Sequence, residues 1–210
     1  DKTRIVSSEL LREIKGSLGD LYSQNHINNS EDTMRVLSLI YGLLALLSLS
    51  TVSAEIRDPG EHFFESTFGD YSEELEIARE EGKKGIFLFF EEDDCPFCAR
   101  MKGTILNQSA VQVFYREHFK NYRINIKGEV EIVDFAGEAM LEKVFAEKRN
   151  KVRATPLMAF YNLDGQMVVR YTGAASSIKE FLMLGQYMLD KGYLKQSFSR
   201  YKRLQRKKNR

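Results

Sequence analysis

The sequence predicts an α/β chain on three observations. Short apolar runs of strand type, the first being Gly85-Ile86-Phe87-Leu88-Phe89-Phe90, alternate with longer stretches whose apolar residues recur at helical spacing. The turn sequence Asn162-Leu163-Asp164-Gly165 between two apolar runs closes the series with a hairpin. The only two cysteines, in Cys95-Pro96-Phe97-Cys98, stand where a strand gives way to a helix. Alternation of this kind places helices against a sheet.

Taken in order, Tyr71 to Gly82 carries Leu75, Ile77 and Ala78 among many charges and reads as a surface helix stopped by Gly82. Ile86–Phe90 is apolar on both faces, as a buried central strand must be. A helix follows from Cys95 to about Leu106, with Pro96 in the first turn, where no N–H is needed. Asn107 or Ser109 caps a second helix bearing Val111, Val113, Phe114 and Phe119, and Tyr122–Ile126 reads as the next strand. An irregular segment, Lys127–Gly137, leads to a helix expected at Glu138–Arg149. Pro156–Tyr161 and Gln166–Tyr171 form the hairpin, and a last core helix runs from about Ser176 to Lys191 with Phe181, Leu184 and Met188 on one face.

The cysteine spacing sets the chemistry. Two intervening residues hold both sulfurs within one helical turn when Cys95 is the N-cap or first residue, close enough for a small disulfide ring. Unpaired backbone N–H groups and the helix dipole then favour the Cys95 thiolate, the form that attacks a disulfide. Cys95 is therefore the candidate nucleophile. Cys98, one turn further in and less exposed, is the candidate resolving thiol.

Other readings of the pair are weaker. Zinc needs about four ligands, and His26, His62 and His118 stand at no ligand spacing to the pair, so no metal site is expected. A purely structural disulfide closing so short a ring constrains the unfolded chain little. Glu91-Glu92-Asp93-Asp94, just before the nucleophile, is either a solvated loop or a group of carboxylates that opposes the thiolate and selects a basic partner. Pro96 either shapes the turn or, with Phe97, binds the substrate protein, and Phe97 is read as a contact that meets a partner.

Composition bounds the class. In 210 residues, 43% are hydrophobic, with 14 Phe and 10 Tyr, enough for a sizeable core. The net charge of +1 gives no overall field favouring nucleic acid. Met34-Arg35, the apolar stretch Val36–Leu49 and the small residues ending at Ala54 read as a secretory signal peptide over residues 34–54, an uncleaved anchor being the alternative. Residues 1–33 carry no motif and read as an extension upstream of the natural start. The folded domain is expected over 55–191. A tail over 192–210 follows, with nine Lys or Arg after Asp190 and no acids. In it Leu194, Phe198, Tyr201 and Leu204 recur at helical spacing, so the tail either packs back on the domain or lies on an anionic membrane.

The strand–Cys95-Pro96-Phe97-Cys98–helix unit, Ala154-Thr155-Pro156 before an apolar strand, Asp164-Gly165 in a hairpin and Gly173 beyond it resemble the thioredoxin superfamily over about Phe68–Lys191. The resemblance implies a thioredoxin-like fold, a central mixed sheet flanked by helices. It also implies a cis Pro156 beside the dithiol, with Thr155 and Pro156 as the edge that docks a substrate's extended chain. Cys95-Pro96-Phe97-Cys98-x-x-Met101, Asn125-Ile126-x-Gly128, Asp134-Phe135-x-Gly137-Glu138, Thr155-Pro156 and Gln196-Ser197-Phe198-x-x-Tyr201 are further similar to the periplasmic thioredoxins of bacterial sulfur-oxidation gene clusters, the SoxW type. Such proteins receive electrons from a membrane thiol transporter of the CcdA/DsbD kind and keep a partner's cysteine reduced. Two positions depart from ordinary thioredoxin. Pro-Phe replaces Gly-Pro between the cysteines, nearer the more oxidising glutaredoxins, and Phe89 stands where thioredoxin has a buried acid.

The resulting expectation is an exported, periplasmic, monomeric thiol–disulfide oxidoreductase that reduces disulfides of partner proteins and needs no small-molecule cofactor. Its alternatives are a net oxidase or isomerase and a non-enzymatic binding module; a dimer sharing an iron–sulfur cluster through Cys95 is a rarer variant.

Overall fold

The computed structural model describes residues 55–208. The processing segment expected over 34–54, and the stretch before it, lie outside the described residues. The elements in chain order are α1 (Pro59–His62), α2 (Tyr71–Glu80), β1 (Ile86–Glu91), α3 (Pro96–Met101), α4 (Ser109–His118), β2 (Lys120–Asn125), β3 (Glu131–Val133) and β4 (Ala139–Leu141). They continue with α5 (Glu142–Val144), β5 (Leu157–Tyr161), β6 (Met167–Thr172), α6 (Ile178–Leu189) and α7 (Phe198–Lys208). Among them no helix is long and apolar enough to cross a membrane.

The main sheet has the order β2-β1-β5-β6. β1 pairs parallel with β2 and antiparallel with β5, and β6 runs antiparallel to β5, so the sheet is mixed as expected. All six residues of β1 are buried, because the strand is central and carries helices on both faces.

Alternation along the strands sorts the interior into two layers. Phe87, Phe89, Met158 and Phe160 face a cluster completed by Met101 and Ile105, by Val111 and Tyr115 of α4, and by Phe181, Leu184 and Met188 of α6. Ile86, Leu88, Phe90, Leu157, Ala159 and Tyr161 face the opposite cluster, with Tyr71, Leu75 and Ala78 of α2 and with Phe145. The first layer is strongly aromatic: Tyr115 stacks on Phe181 at 4.3 Å between ring centroids, and its hydroxyl donates to the Phe181 carbonyl at 2.8 Å.

Local capping follows side-chain chemistry. Asp70 accepts from the N–H groups of Ser72 and Glu73 at the start of α2, and Ser177 accepts from Glu180 N–H at the start of α6. The helix expected over Glu138–Arg149 begins later. Residues 139–141 form β4, which pairs with β3 in a separate two-stranded sheet, and helical turns cover only Glu142–Arg149. The cause is the turn between the two strands: Asp134 Oδ1 accepts from the N–H groups of Ala136 and Glu138, and Gly137 takes a φ of 81°. The segment read as irregular, Lys127–Gly137, thus contains β3.

The basic tail packs back. Phe198 lies against Tyr171 and Tyr187, Tyr201 is buried, and its hydroxyl donates to Asp190 Oδ2 at 2.5 Å.

Candidate functional site

Three strand ends build the site. The C-termini of β1 and β2 and the N-terminus of β5 share one end of the sheet, since β1 is parallel to β2 and antiparallel to β5. The dithiol follows β1 by a short turn, in which Cys95 N–H donates to the Glu92 carbonyl at 3.2 Å. Pro156 immediately precedes β5. The topology therefore brings together two motifs about 60 residues apart.

Cys95 is the N-cap of α3 with extended backbone, and Pro96 occupies the first turn, as the sequence predicted. Cys95 and Cys98 form a disulfide with their Cα atoms 5.2 Å apart. The Cys98 N–H donates to Cys95 Sγ at 3.1 Å. That donor belongs to the helix N-terminus, so it supports negative charge on Cys95 once the bond is reduced. Cys95 is 6% exposed and Cys98 1%, which puts Cys95 on the accessible side of the pair. Pro96 is exposed, and Phe97 is 58% exposed with the Arg100 guanidinium 5.9 Å from its ring centroid. A large apolar ring held in water beside the disulfide is a surface available to a partner.

The Thr155–Pro156 peptide bond is cis. Pro156 is buried and its carbonyl accepts from Gly173 N–H at 2.8 Å, which fixes the loop against the end of β6. Thr155 is half-buried, and among the described residues neither its N–H nor its carbonyl has a hydrogen-bond partner. An unpaired backbone edge of this kind offers an extended peptide one donor and one acceptor.

The four acids before Cys95 do not act as one group. Glu91 is buried at the end of β1, and its Oε2 lies 2.7 Å from Lys102 Nζ in an ion pair without hydrogen-bond alignment. Glu92 pairs with Lys127 Nζ at 2.6 Å and accepts from the Thr155 hydroxyl at 3.1 Å. The hydrogen bond from Lys127, followed by that from Thr155, holds the Glu92 carboxyl below its usual value of 4.5. Asp93 and Asp94 alone stand free in solvent. Nothing in the sequence pairs Glu92 with Lys127 or Thr155. The one available signal was that Glu92 and Thr155 sit just beyond neighbouring strands.

Phe89, at the position where thioredoxin has a buried acid, is fully buried and packs at 5.9 Å from Phe64. Glu91, two residues on, is the buried carboxylate at this end of β1. A thioredoxin-like domain model matches residues 71–189, more than half of the chain and both of its site motifs. The chain belongs to the thioredoxin-like domain family. Within that family's architecture, this thioredoxin-like protein carries the Cys-x-x-Cys pair of thiol–disulfide oxidoreductases.

Several solved structures are similar to this thioredoxin-like protein. A thioredoxin-fold protein from Helicobacter pylori is 22% identical, with 55% of this chain and 75% of that chain covered at a TM-score of 0.49. A thioredoxin from Thermus thermophilus is 20% identical, with coverage of 66% and 90% and a TM-score of 0.47. The oxidised C-terminal domain of DsbD from Neisseria meningitidis is 19% identical, with coverage of 59% and 97% and a TM-score of 0.43. No curated protein matches the chain significantly.

Proposed function

We propose that this protein is an exported thiol–disulfide oxidoreductase that reduces disulfides of partner proteins. The observation that carries the reading is a helix-capping Cys95, bonded to Cys98, at the same sheet end as the unpaired backbone of Thr155. In the reduced protein, the Cys95 thiolate attacks one sulfur of a substrate disulfide. A mixed disulfide forms and the other substrate sulfur leaves as a thiolate. Cys98, as thiolate, then attacks Cys95 Sγ, the second substrate sulfur leaves, and the Cys95–Cys98 disulfide closes. The substrate has gained two electrons and the protein has lost two.

Thr155 and Pro156 dock the substrate chain, and Pro96 with Phe97 contacts the partner's surface beyond its cysteine. Returning the protein to the dithiol requires two electrons from a donor. The resemblance to the SoxW type supports a membrane thiol transporter of the CcdA/DsbD kind as that donor, and a cysteine of a sulfur-oxidation protein as the target. Residues 34–54 act as the export signal, which places the domain in the periplasm.

The deciding experiment measures the equilibrium potential of the Cys95–Cys98 pair and its rate of insulin reduction with dithiothreitol. A potential near or below roughly −270 mV with accelerated reduction supports the reading, whereas one near −120 mV makes the protein an oxidase. An accessible dithiol that fails to accelerate reduction makes it a binding module.

A further inference from the structure

The last helix, α7, has two faces of different chemistry. Phe198, Tyr201, Lys202 and Gln205 turn to the domain: Phe198 and Tyr201 enter the aromatic layer, and Lys202 is bound to Glu180. A helix advances about 100° per residue, so the opposite face carries Ser199, Arg200, Arg203, Arg206 and Lys207. All five are exposed, and among the described residues none of the four cations has a carboxylate partner. The helix spans 11 residues without one acid. Four guanidinium or ammonium groups thus project in one direction from a chain whose formal net charge is only +1.

Apolar surface adjoins this basic face. Leu204, 48% exposed, lies one helical turn from Arg200, Lys207 and Lys208. The aromatic rings of α7 face inward, so none is offered for stacking on a base, as single-stranded nucleic acid would require. Cations beside exposed aliphatic surface match a bilayer interface, where headgroups meet the bases and the acyl boundary meets leucine.

We propose that the outer face of α7 binds the surface of a membrane rich in anionic lipid and holds the domain there peripherally. The attraction is electrostatic and therefore screened within about 10 Å at 0.1 M salt. Each cation near an anionic surface contributes about fivefold in affinity. The inference stands apart from the redox reading, because none of these residues belongs to the dithiol site.

The test is co-sedimentation of the full chain with vesicles of phosphatidylcholine alone or mixed with phosphatidylglycerol, alongside the double variant Arg203→Gln, Lys207→Gln. Binding is expected only to the phosphatidylglycerol vesicles, to disappear at about 0.5 M salt, and to weaken roughly twenty-five-fold in the double variant. Unchanged insulin reduction and thermal midpoint in that variant show that its fold is intact. Equal binding to neutral vesicles would assign attachment to the apolar run 36–49 and overturn the proposal. So would unaltered binding by the double variant, or tighter binding to duplex DNA than to the anionic vesicles. If the wild-type chain fails to reduce insulin, the redox reading falls while the vesicle result stands.

Discussion

The hydroxyl of Thr155 donates to Glu92 Oε1 across 3.1 Å, and this bond ties the cis-proline loop to the loop that carries Cys95. Lys127, from the loop after β2, holds Glu92 from the other side. Three segments distant in sequence are thereby fixed relative to one another at one end of the sheet.

Loss of this bond should act on substrate binding before chemistry. Thr155→Val and Glu92→Ala should each raise KM for a protein disulfide several-fold, with kcat nearly unchanged, because each removes one partner of the bond. Because the folded-state Glu92 pKa is depressed below 4.5, its contribution is present above that pH and is lost as pH falls through the lower folded value. KM profiles measured between pH 5 and 8 should therefore have the same shape in the wild type and in Glu92→Gln; a step present in the wild type and missing from the variant would show that Glu92 titrates in that window.

The two cysteines should separate by function. Cys95→Ser should reduce insulin reduction to the uncatalysed background. Cys98→Ser should leave a stable mixed disulfide on Cys95, visible as a reductant-sensitive band on a non-reducing gel. Trapping by Cys95→Ser instead would reverse the assigned roles.

Glu180 links stability to pH. Burial raises its pKa, but hydrogen bonds from Lys202 and Ser176 outweigh that and bring it down to about 2. A depressed folded pKa contributes stability that is full above the unfolded value near 4.5 and is lost as pH falls towards about 2. Urea midpoints should thus decline across that interval, and the decline should be shallower in Glu180→Gln. Identical slopes in the two proteins would remove Glu180 from the account.

The buried pair Glu91–Lys102 should cost more broken than removed. Lys102→Met strands a carboxylate that is 8% exposed and should destabilise by about 1 to 3 kcal/mol, since Lys102 itself is partly solvated. The double variant Glu91→Gln, Lys102→Met should recover part of that loss, as read from urea midpoints at constant slope.

Much of this molecule was legible because its signals are local. The all-buried β1 announced itself as an unbroken apolar run, Pro96 marked the first turn of α3, and Asp164-Gly165 marked the hairpin. Thr155-Pro156 became legible only through family resemblance, since nothing in its spacing says that it shares a sheet end with Cys95. The misread stretch at 138–149 lost its first turn to a cross-strand pairing, which depends on where β3 lies and not on helical propensity. The split among Glu91, Glu92, Asp93 and Asp94 was illegible for the same reason: four adjacent carboxylates look alike until Lys102, Lys127 and Thr155 arrive from elsewhere.

The attachment of α3 has a mechanical meaning. A partner joined covalently to Cys95 pulls on the first residue of a short helix, and that load must be carried somewhere. Four residues past Cys98, Lys102 fastens the helix to Glu91 on β1, a strand hydrogen-bonded on both edges, while Met101 is sunk in the layer beneath. Under the proposed mechanism, tension from a bulky partner would run into the central strand of the sheet, and Cys98 would keep its place beside Cys95.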